Sequence, residues 1–162
     1  MRPLDDFDRK ILSALVEDAS QSYAQMGEQV GLSAPAVHER VKRMKKDGVI
    51  LGTTVRLSGD AVEKPLLSFV QVSTRGWGKS QRLMALTRFP EVEEIHAVAG
   101  STCLLMKVRT RDSQALESLL GQLYMTPQVV STSTFVVLST YLERPNQAGV
   151  TESWPEIVFP DV

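Results

Sequence analysis

The chain has 162 residues, 18 Lys and Arg against 19 Asp and Glu, and a formal net charge of -1. This length allows one large domain or two small ones, and a domain of roughly 60 residues would depend on a partner for stability. A single cysteine, an acidic start and the lack of a long apolar run favour a cytoplasmic protein without disulfide, signal peptide or membrane segment.

Apolar residues at steps of three and four predict a first helix over about residues 5–18. Asp5 is placed to cap this helix, and Asp8 falls in its first turn, where a carboxylate suits the helix dipole. The predicted inward face is Leu4, Phe7, Ile11, Leu12 and Leu15.

Two further helices follow at short intervals. Ser22 and Gln25 have capping-box spacing, and the helix that they begin ends at Gly31. Ser33 caps a third helix over residues 34–47, which Gly48 ends. The predicted inward residues are Tyr23, Met26 and Val30 on the second helix and Val37, Val41 and Met44 on the third. Helices joined by a three-residue turn with a glycine predict a helix-turn-helix unit.

After Gly48 the pattern changes. Ile50 or Leu51, Val55 and Leu57 predict a strand or a short wing, which would complete a winged helix-turn-helix domain over residues 1–57. Residues 58–64, which contain Ser58, Gly59 and Asp60 and precede Pro65, predict a linker.

The second half, residues 65–143, predicts the element order β-α-β-β-α-β of a ferredoxin-like unit, so the fold class is α+β. The strands fall at 66–74, 91–100, 102–110 and 129–142, and the helices at 79–89 and 112–124. Trp77 is expected to be an exposed or interface aromatic residue, and the tail over residues 144–162 to lie extended on the surface or on a partner.

The third helix carries a local concentration of positive charge. Five basic residues against one glutamate lie between His38 and Lys46, an excess of +4. A major groove admits one helix, small residues permit close approach to bases, and cations can hold phosphates. The DNA contacts predicted on and beside this helix are Ser33, Pro35, Ala36, His38, Glu39, Arg40, Lys42, Arg43 and Lys46. At 100° per residue, Arg43 falls on the outward side with Lys42.

For a basic helix alone, a solvated charged face is the better interpretation, and the preceding capped helix and tight turn reverse that preference. Glu39 is left open: it could accept from a cytosine amino group or pair with Arg43.

Residues 4–52 resemble the N-terminal domain of the Lrp/AsnC (feast/famine) transcription regulators. The matching motifs are Leu4-Asp5-x-x-Asp8-Arg9-Lys10-Ile11-Leu12, Val30-Gly31-Leu32-Ser33, Arg40-Val41 and Gly48-Val49-Ile50. The second half resembles the RAM/ACT-like effector domain of the family in element order, in Val98-x-Gly100 and in the run from Pro127 to Leu138. The resemblance implies a sequence-specific regulator of double-stranded DNA that forms homodimers and assembles to tetramers or octamers.

The resemblance also implies an amino-acid effector bound between second domains. The implied effector residues are Gly100, Ser101, Thr102 and Cys103, with Thr132 and Thr134 on the last strand. This chain departs from many relatives in having Ser101 and Cys103 where they place acidic or amide residues. Backbone carbonyls or Glu94 are alternatives for an ammonium group.

The sequence gives little support for catalytic, redox or metal-binding roles. Cys103 is interpreted as a small apolar residue, with a redox or ligand role left open, and His96 as a satisfied histidine. No metal or cofactor is expected. The alternatives to a regulator are an architectural DNA-binding protein and an enzyme on a similar scaffold, such as a sirohaem decarboxylase-like protein. The outward basic helix favours the regulator.

Overall fold

The computed structural model describes residues 2–75 and 84–157. They divide into two compact units, residues 2–55 with 142–157 and residues 56–141. The tail therefore groups with the N-terminal unit, where the guanidinium of Arg9 donates to the carbonyl of Ala148 at 2.9 Å. No helix among the described residues has the length and apolar character needed to cross a membrane.

The first unit is built on three helices: α1 is Asp6–Glu17, α2 is Tyr23–Val30 and α3 is Ala34–Lys46. The predicted caps are confirmed, since side chains of Asp5, Ser22 and Ser33 each accept a backbone N–H three residues on. Gly31 ends α2 at φ 76°, a left-handed conformation that glycine adopts without a steric penalty.

The inward faces of the helices form one apolar core. The buried apolar residues are Ile11, Ala14, Met26, Val30, Val37, Val41 and Met44. Phe7, predicted inward, is 39% exposed and lies beneath the guanidinium of Arg40, 5.5 Å from its ring centre. The inward prediction is thus right for α2 and α3 and wrong for Phe7 on α1.

The wing is not formed in the single chain. Val49 and Ile50 pack against the helical core, but residues 51–58 make no strand. Leu51, Val55 and Leu57 are 94%, 75% and 69% exposed. A strand needs a neighbour to pair its backbone groups, and no described residue of the same chain supplies one.

The second unit is a four-stranded antiparallel sheet of order β2-β3-β1-β4. Its strands are β1 (Leu66–Thr74), β2 (Val92–Ala97), β3 (Leu104–Thr110) and β4 (Val129–Val136), and α4 is Ser113–Tyr124. A short 3-10 helix, Ala85–Arg88, lies within the predicted helix over residues 79–89, whose first part, like Trp77, lies outside the described residues. The element order therefore agrees with the ferredoxin-like prediction.

The core of this unit lies on one face of the sheet. Alternate residues of β1 and β3 are buried there with three leucines of α4: Val70, Val72, Leu104, Met106, Val108, Leu116, Leu119 and Leu123. The last strand ends at Val136, earlier than predicted, because its partner Ser68 is close to the start of β1. The predicted linker is a hydrogen-bonded turn, with Lys64 donating its backbone N–H to Gly59 at 2.7 Å and its ammonium to Pro90 at 2.9 Å.

Candidate nucleic-acid interface and effector site

The turn between α2 and α3 is closely packed. The N–H of Leu32 donates to the carbonyl of Gly27 at 2.9 Å. A Cβ at Gly27 would lie 2.4 Å from the carbonyl oxygen of Leu32, so this helix position accepts only glycine without a local shift. Sequence reasoning missed Gly27, whose signal is a glycine inside a short helix, four residues before Gly31.

One side of α3 is exposed beyond this turn. Pro35, His38, Glu39, Lys42 and Lys46 are exposed, as is the capping residue Ser33, and Ala36 is half-buried. The side chains of Lys42 and Glu39 are 70% and 69% exposed. We call Ser33, Pro35, Ala36, His38, Glu39, Lys42 and Lys46 the exposed face of α3.

Glu39 has neighbours other than the predicted one. Its carboxylate lies 4.0 Å from the ammonium of Lys42 and 3.6 Å from Nδ1 of His38, whereas the expected partner Arg43 is bound elsewhere. The ring of His38 also lies 5.3 Å from that of Tyr23 on α2. These contacts are long and exposed, so they leave Glu39 and Lys42 accessible to a ligand.

Arg40 and Arg43, predicted as DNA contacts, are turned toward α1. Nη1 of Arg40 lies 2.7 Å from Oδ2 of Asp5 and 2.8 Å from Oδ1 of Asp8. Nη2 of Arg43 lies 2.5 Å from the same Oδ1 of Asp8. Both side chains are half-buried, at 23% and 32% exposure. The outward position expected for Arg43 is therefore corrected, because the long side chain bends toward a buried carboxylate.

Asp8 is 1% exposed and has two structural roles. It closes the capping box of α1 by accepting the N–H of Asp5 at 3.3 Å, and it binds both arginines. Hydrogen bonds to Asp5 and Asp8 raise the pKa of Arg40, and the hydrogen bond from Arg40 lowers the pKa of Asp5. These four residues together carry no net charge. The acids and cations that stand apart in the sequence neutralise each other here.

The residues of the implied effector site lie around the end of β1. Thr102 donates its hydroxyl hydrogen bond to the carbonyl of Val72 at 2.9 Å, and Cys103 donates its backbone N–H to the same oxygen at 3.1 Å. On the other side of β1, Thr132 is in register with Val72 and Thr134 with Val70. The loop and Thr132 therefore flank one residue of β1, and Thr134 lies two positions farther along β4.

Two other residues of this loop, Gly100 and Ser101, are exposed. Gly100 has φ 147°, in the region that favours glycine, and Ser101 follows it. Cys103 is half-buried, with its sulfur 3.7 Å from the carbonyl oxygen of Thr74, and hydrogen bonds with Thr74 lower the pKa of its thiol. In this part of the described chain, Ser101 is the loop side chain most available to a ligand.

Tyr124 is a candidate site residue that sequence reasoning missed. It ends α4, and its hydroxyl accepts a hydrogen bond from Thr132 at 2.9 Å. The sequence predicts a helix that ends at this tyrosine, but it does not predict the contact with Thr132. Glu94, the alternative partner for an ammonium group, lies on β2, where its carboxylate contacts Nε2 of His96 at 2.8 Å.

Metal chemistry has no candidate centre in the described ranges, 2–75 and 84–157, which hold no group of three or more His, Cys, Asp or Glu side chains suited to a metal ion. The architecture instead joins a capped helix-turn-helix unit, with one exposed basic face, to a ferredoxin-like unit. This architecture defines the class of protein: a DNA-binding transcriptional regulator with a separate ligand-binding domain.

Comparison with known proteins defines the family. The AsnC-type helix-turn-helix domain matches residues 4–45, and the Lrp/AsnC ligand binding domain matches residues 68–147. The proline dehydrogenase transcriptional activator of Rhizobium radiobacter is 38% identical over 144 residues, which cover 86% of this chain and 92% of that protein. The chain belongs to the Lrp/AsnC family of transcriptional regulators.

Two further relatives extend the comparison. The leucine-responsive regulatory protein of Escherichia coli is 34% identical over 141 residues, 85% of this chain and 86% of that protein. The crystal structure of a transcriptional regulator of Neisseria meningitidis in complex with L-methionine has a TM-score of 0.81 at 25% identity, covering 88% of this chain and 94% of that chain. The likeness therefore spans both units.

Proposed function

We propose that the exposed face of α3 enters the major groove of operator DNA, with Lys42 and Lys46 holding phosphates and the small residues Ser33 and Ala36 near the bases. The observation that carries this proposal is that Lys42 and Lys46 are exposed on a helix whose other side is buried. Arg40 and Arg43 are held by α1 and stand outside the proposed contact face.

Single substitutions test this interface. The slope of log affinity against log salt should become shallower by about 0.9 for Lys42→Ala and for Lys46→Ala. Each variant makes one phosphate contact fewer, so fewer counterions are released when the protein binds. Fluorescence anisotropy with a labelled duplex from a site occupied in the cell measures the slope. Arg111→Ala is the matched control, since this 71% exposed cation belongs to the other unit. Unchanged slopes for both lysine variants would remove α3 from the interface.

The same titrations distinguish a regulator from an architectural protein. A sequence-specific protein should prefer its occupied site over random duplex by about 10³ or more. Similar affinities for the two duplexes would support the architectural alternative.

We also propose that an amino acid or a related metabolite binds at the site formed by Gly100–Cys103, Thr132 and Thr134. The exposure of Ser101 and the convergence of loop and β4 on Val72 support this placement. Two relatives point to the ligand class, one named leucine-responsive and one crystallised with L-methionine. A bulky Ser101→Tyr variant should lose ligand-dependent changes in assembly, measured by sedimentation with L-leucine or L-methionine, and keep its DNA affinity. An unchanged ligand response in that variant would refute the placement.

We propose that the chain acts as a homodimer or a larger assembly, and by binding rather than by catalysis. Large apolar side chains outside both cores support association: Leu51, Leu138, Tyr141 and Leu142 are 94%, 95%, 97% and 69% exposed. Burying apolar surface of this kind stabilises an interface. Sedimentation equilibrium of the full chain should show a dimer or more, and a monomer at micromolar concentration would contradict this.

A further inference from the structure

The contact between α1 and α3 brings two carboxylates at the start of α1 together with two guanidinium groups of α3. Asp8 provides one oxygen, Oδ1, to both Arg40 at 2.8 Å and Arg43 at 2.5 Å, and Asp5 binds Arg40 with both of its oxygens, at 2.9 and 2.7 Å. We call these four residues the α1–α3 charge cluster. Arg40 and Arg43 are two of the five basic residues of α3, and both are paired with carboxylates in this cluster.

We propose that Asp5 and Asp8 are positioning residues for DNA binding: they hold Arg40 and Arg43 away from the phosphates, and so restrain non-specific attraction to DNA. This inference rests on the proposed function of α3. It assigns a role in specificity to Asp5 and Asp8 at the start of α1, although the proposed DNA contacts lie on and beside α3.

Burial makes the cluster resistant to competition from DNA. Asp8 is 1% exposed, and a buried carboxylate that loses its cations is left without compensation in a medium of low polarity. Arg43 would have to leave Asp8, or share its guanidinium, to reach a phosphate. The capping box also fixes Asp8, since the Asp5 N–H binds its other oxygen. The cluster is therefore a stable arrangement of α1 and α3.

Geometry and charge together predict what DNA encounters. With Arg40 and Arg43 neutralised, the cations left on α3 are Lys42, Lys45 and Lys46, all exposed. Lysines bind phosphates as point charges, whereas arginine forms bidentate pairs with them. Freeing an arginine adds one cation to the surface and steepens the salt slope by about 0.9 for every phosphate it neutralises.

Asp5→Asn tests the inference with little risk to folding, because asparagine caps helices as well as aspartate does. It leaves the α1–α3 charge cluster with one uncompensated positive charge. Binding of the full chain to a random-sequence duplex is measured by anisotropy across salt concentrations. We expect affinity to fall about 3.5-fold more than for the wild type over a fourfold rise in salt. Asp6→Asn is the matched control: it removes the same charge from an exposed position in the same turn.

A second substitution separates charge masking from a merely structural role. Arg40→Gln added to Asp5→Asn should return the slope to that of the wild type, since it removes the freed cation. Circular dichroism of each variant tests whether it is folded. Asp8→Asn is expected to act in the same direction, but the decision rests on Asp5→Asn, because Asp8 is buried.

The outcomes are distinct. The inference is overturned if folded Asp5→Asn has the slope of the wild type, or if the double variant keeps the steeper slope. Lys42→Ala and Lys46→Ala are measured beside them. If both leave the slope unchanged, the proposed role of α3 fails. If either makes the slope shallower while Asp5→Asn leaves it unchanged, only the masking role fails.

Discussion

The hydroxyl of Tyr124, at the end of α4, lies 2.9 Å from the hydroxyl of Thr132 on β4 and accepts its hydrogen bond. Thr132 in turn lies opposite Val72, the residue that anchors the loop through Thr102. Helix, strand and loop thus meet at the end of the sheet where the effector is proposed to bind.

Tyr124→Phe removes the acceptor for Thr132 and should weaken effector binding by roughly two- to tenfold, the effect of one lost hydrogen bond. Isothermal titration calorimetry measures it, with the L-amino acid that most raises the melting temperature. Tyr141→Phe is the control, since Tyr141 is 97% exposed. Equal affinities for wild type and Tyr124→Phe would show that Tyr124 lies outside the site.

Gly27→Ala should destabilise the first unit by about 1–3 kcal/mol, the usual cost of overpacking, since its Cβ would meet the carbonyl of Leu32 at 2.4 Å. Urea unfolding measures the change. Gly121→Ala is a matched helix substitution with nothing within 4 Å of the new Cβ, and it should stabilise α4 by about 1 kcal/mol. Equal stability of Gly27→Ala and the wild type would contradict the close packing of the turn.

Ser68 is 0% exposed on β1, and its hydroxyl has no hydrogen-bond partner among the described residues. Ser68→Ala removes this unsatisfied group and should raise the free energy of unfolding by about 1 kcal/mol. The control is Thr110→Val: Thr110 is equally buried, but its hydroxyl donates to the carbonyl of Asp112 at 3.1 Å, so this change should cost about 1 kcal/mol. Destabilisation by both would show that Ser68 has a partner in solution.

Acid should weaken the α1–α3 charge cluster. The hydrogen bond from Arg40 lowers the pKa of Asp5 below its ordinary value of 3.8. The stabilisation is present in full above that value and is lost as the pH falls through the lower folded pKa, because the unfolded chain takes up the proton first. The melting temperature should drop less steeply for Asp5→Asn than for the wild type below pH 3.8. Parallel curves would exclude a contribution from Asp5.

Signals that lie within a few residues determined much of the fold. The caps Asp5, Ser22 and Ser33 and the extent of β1 all agree with the sequence predictions. A capping side chain binds a backbone group three residues away, and apolar spacing reports one face of one element, so neither depends on distant parts of the chain.

The other features depend on contacts between parts of the chain that are distant in sequence. The early end of β4 depends on where its partner β1 begins. The wing is absent because no strand of the described chain pairs with residues 51–58. Arg43 occupies a position that helical geometry alone assigns to the outward side. It bends inward because Asp8, 35 residues earlier, presents a buried carboxylate that needs a cation. Composition along the chain is enough to predict which helix is basic, whereas the packing of α1 on α3 sets which of its cations remain exposed.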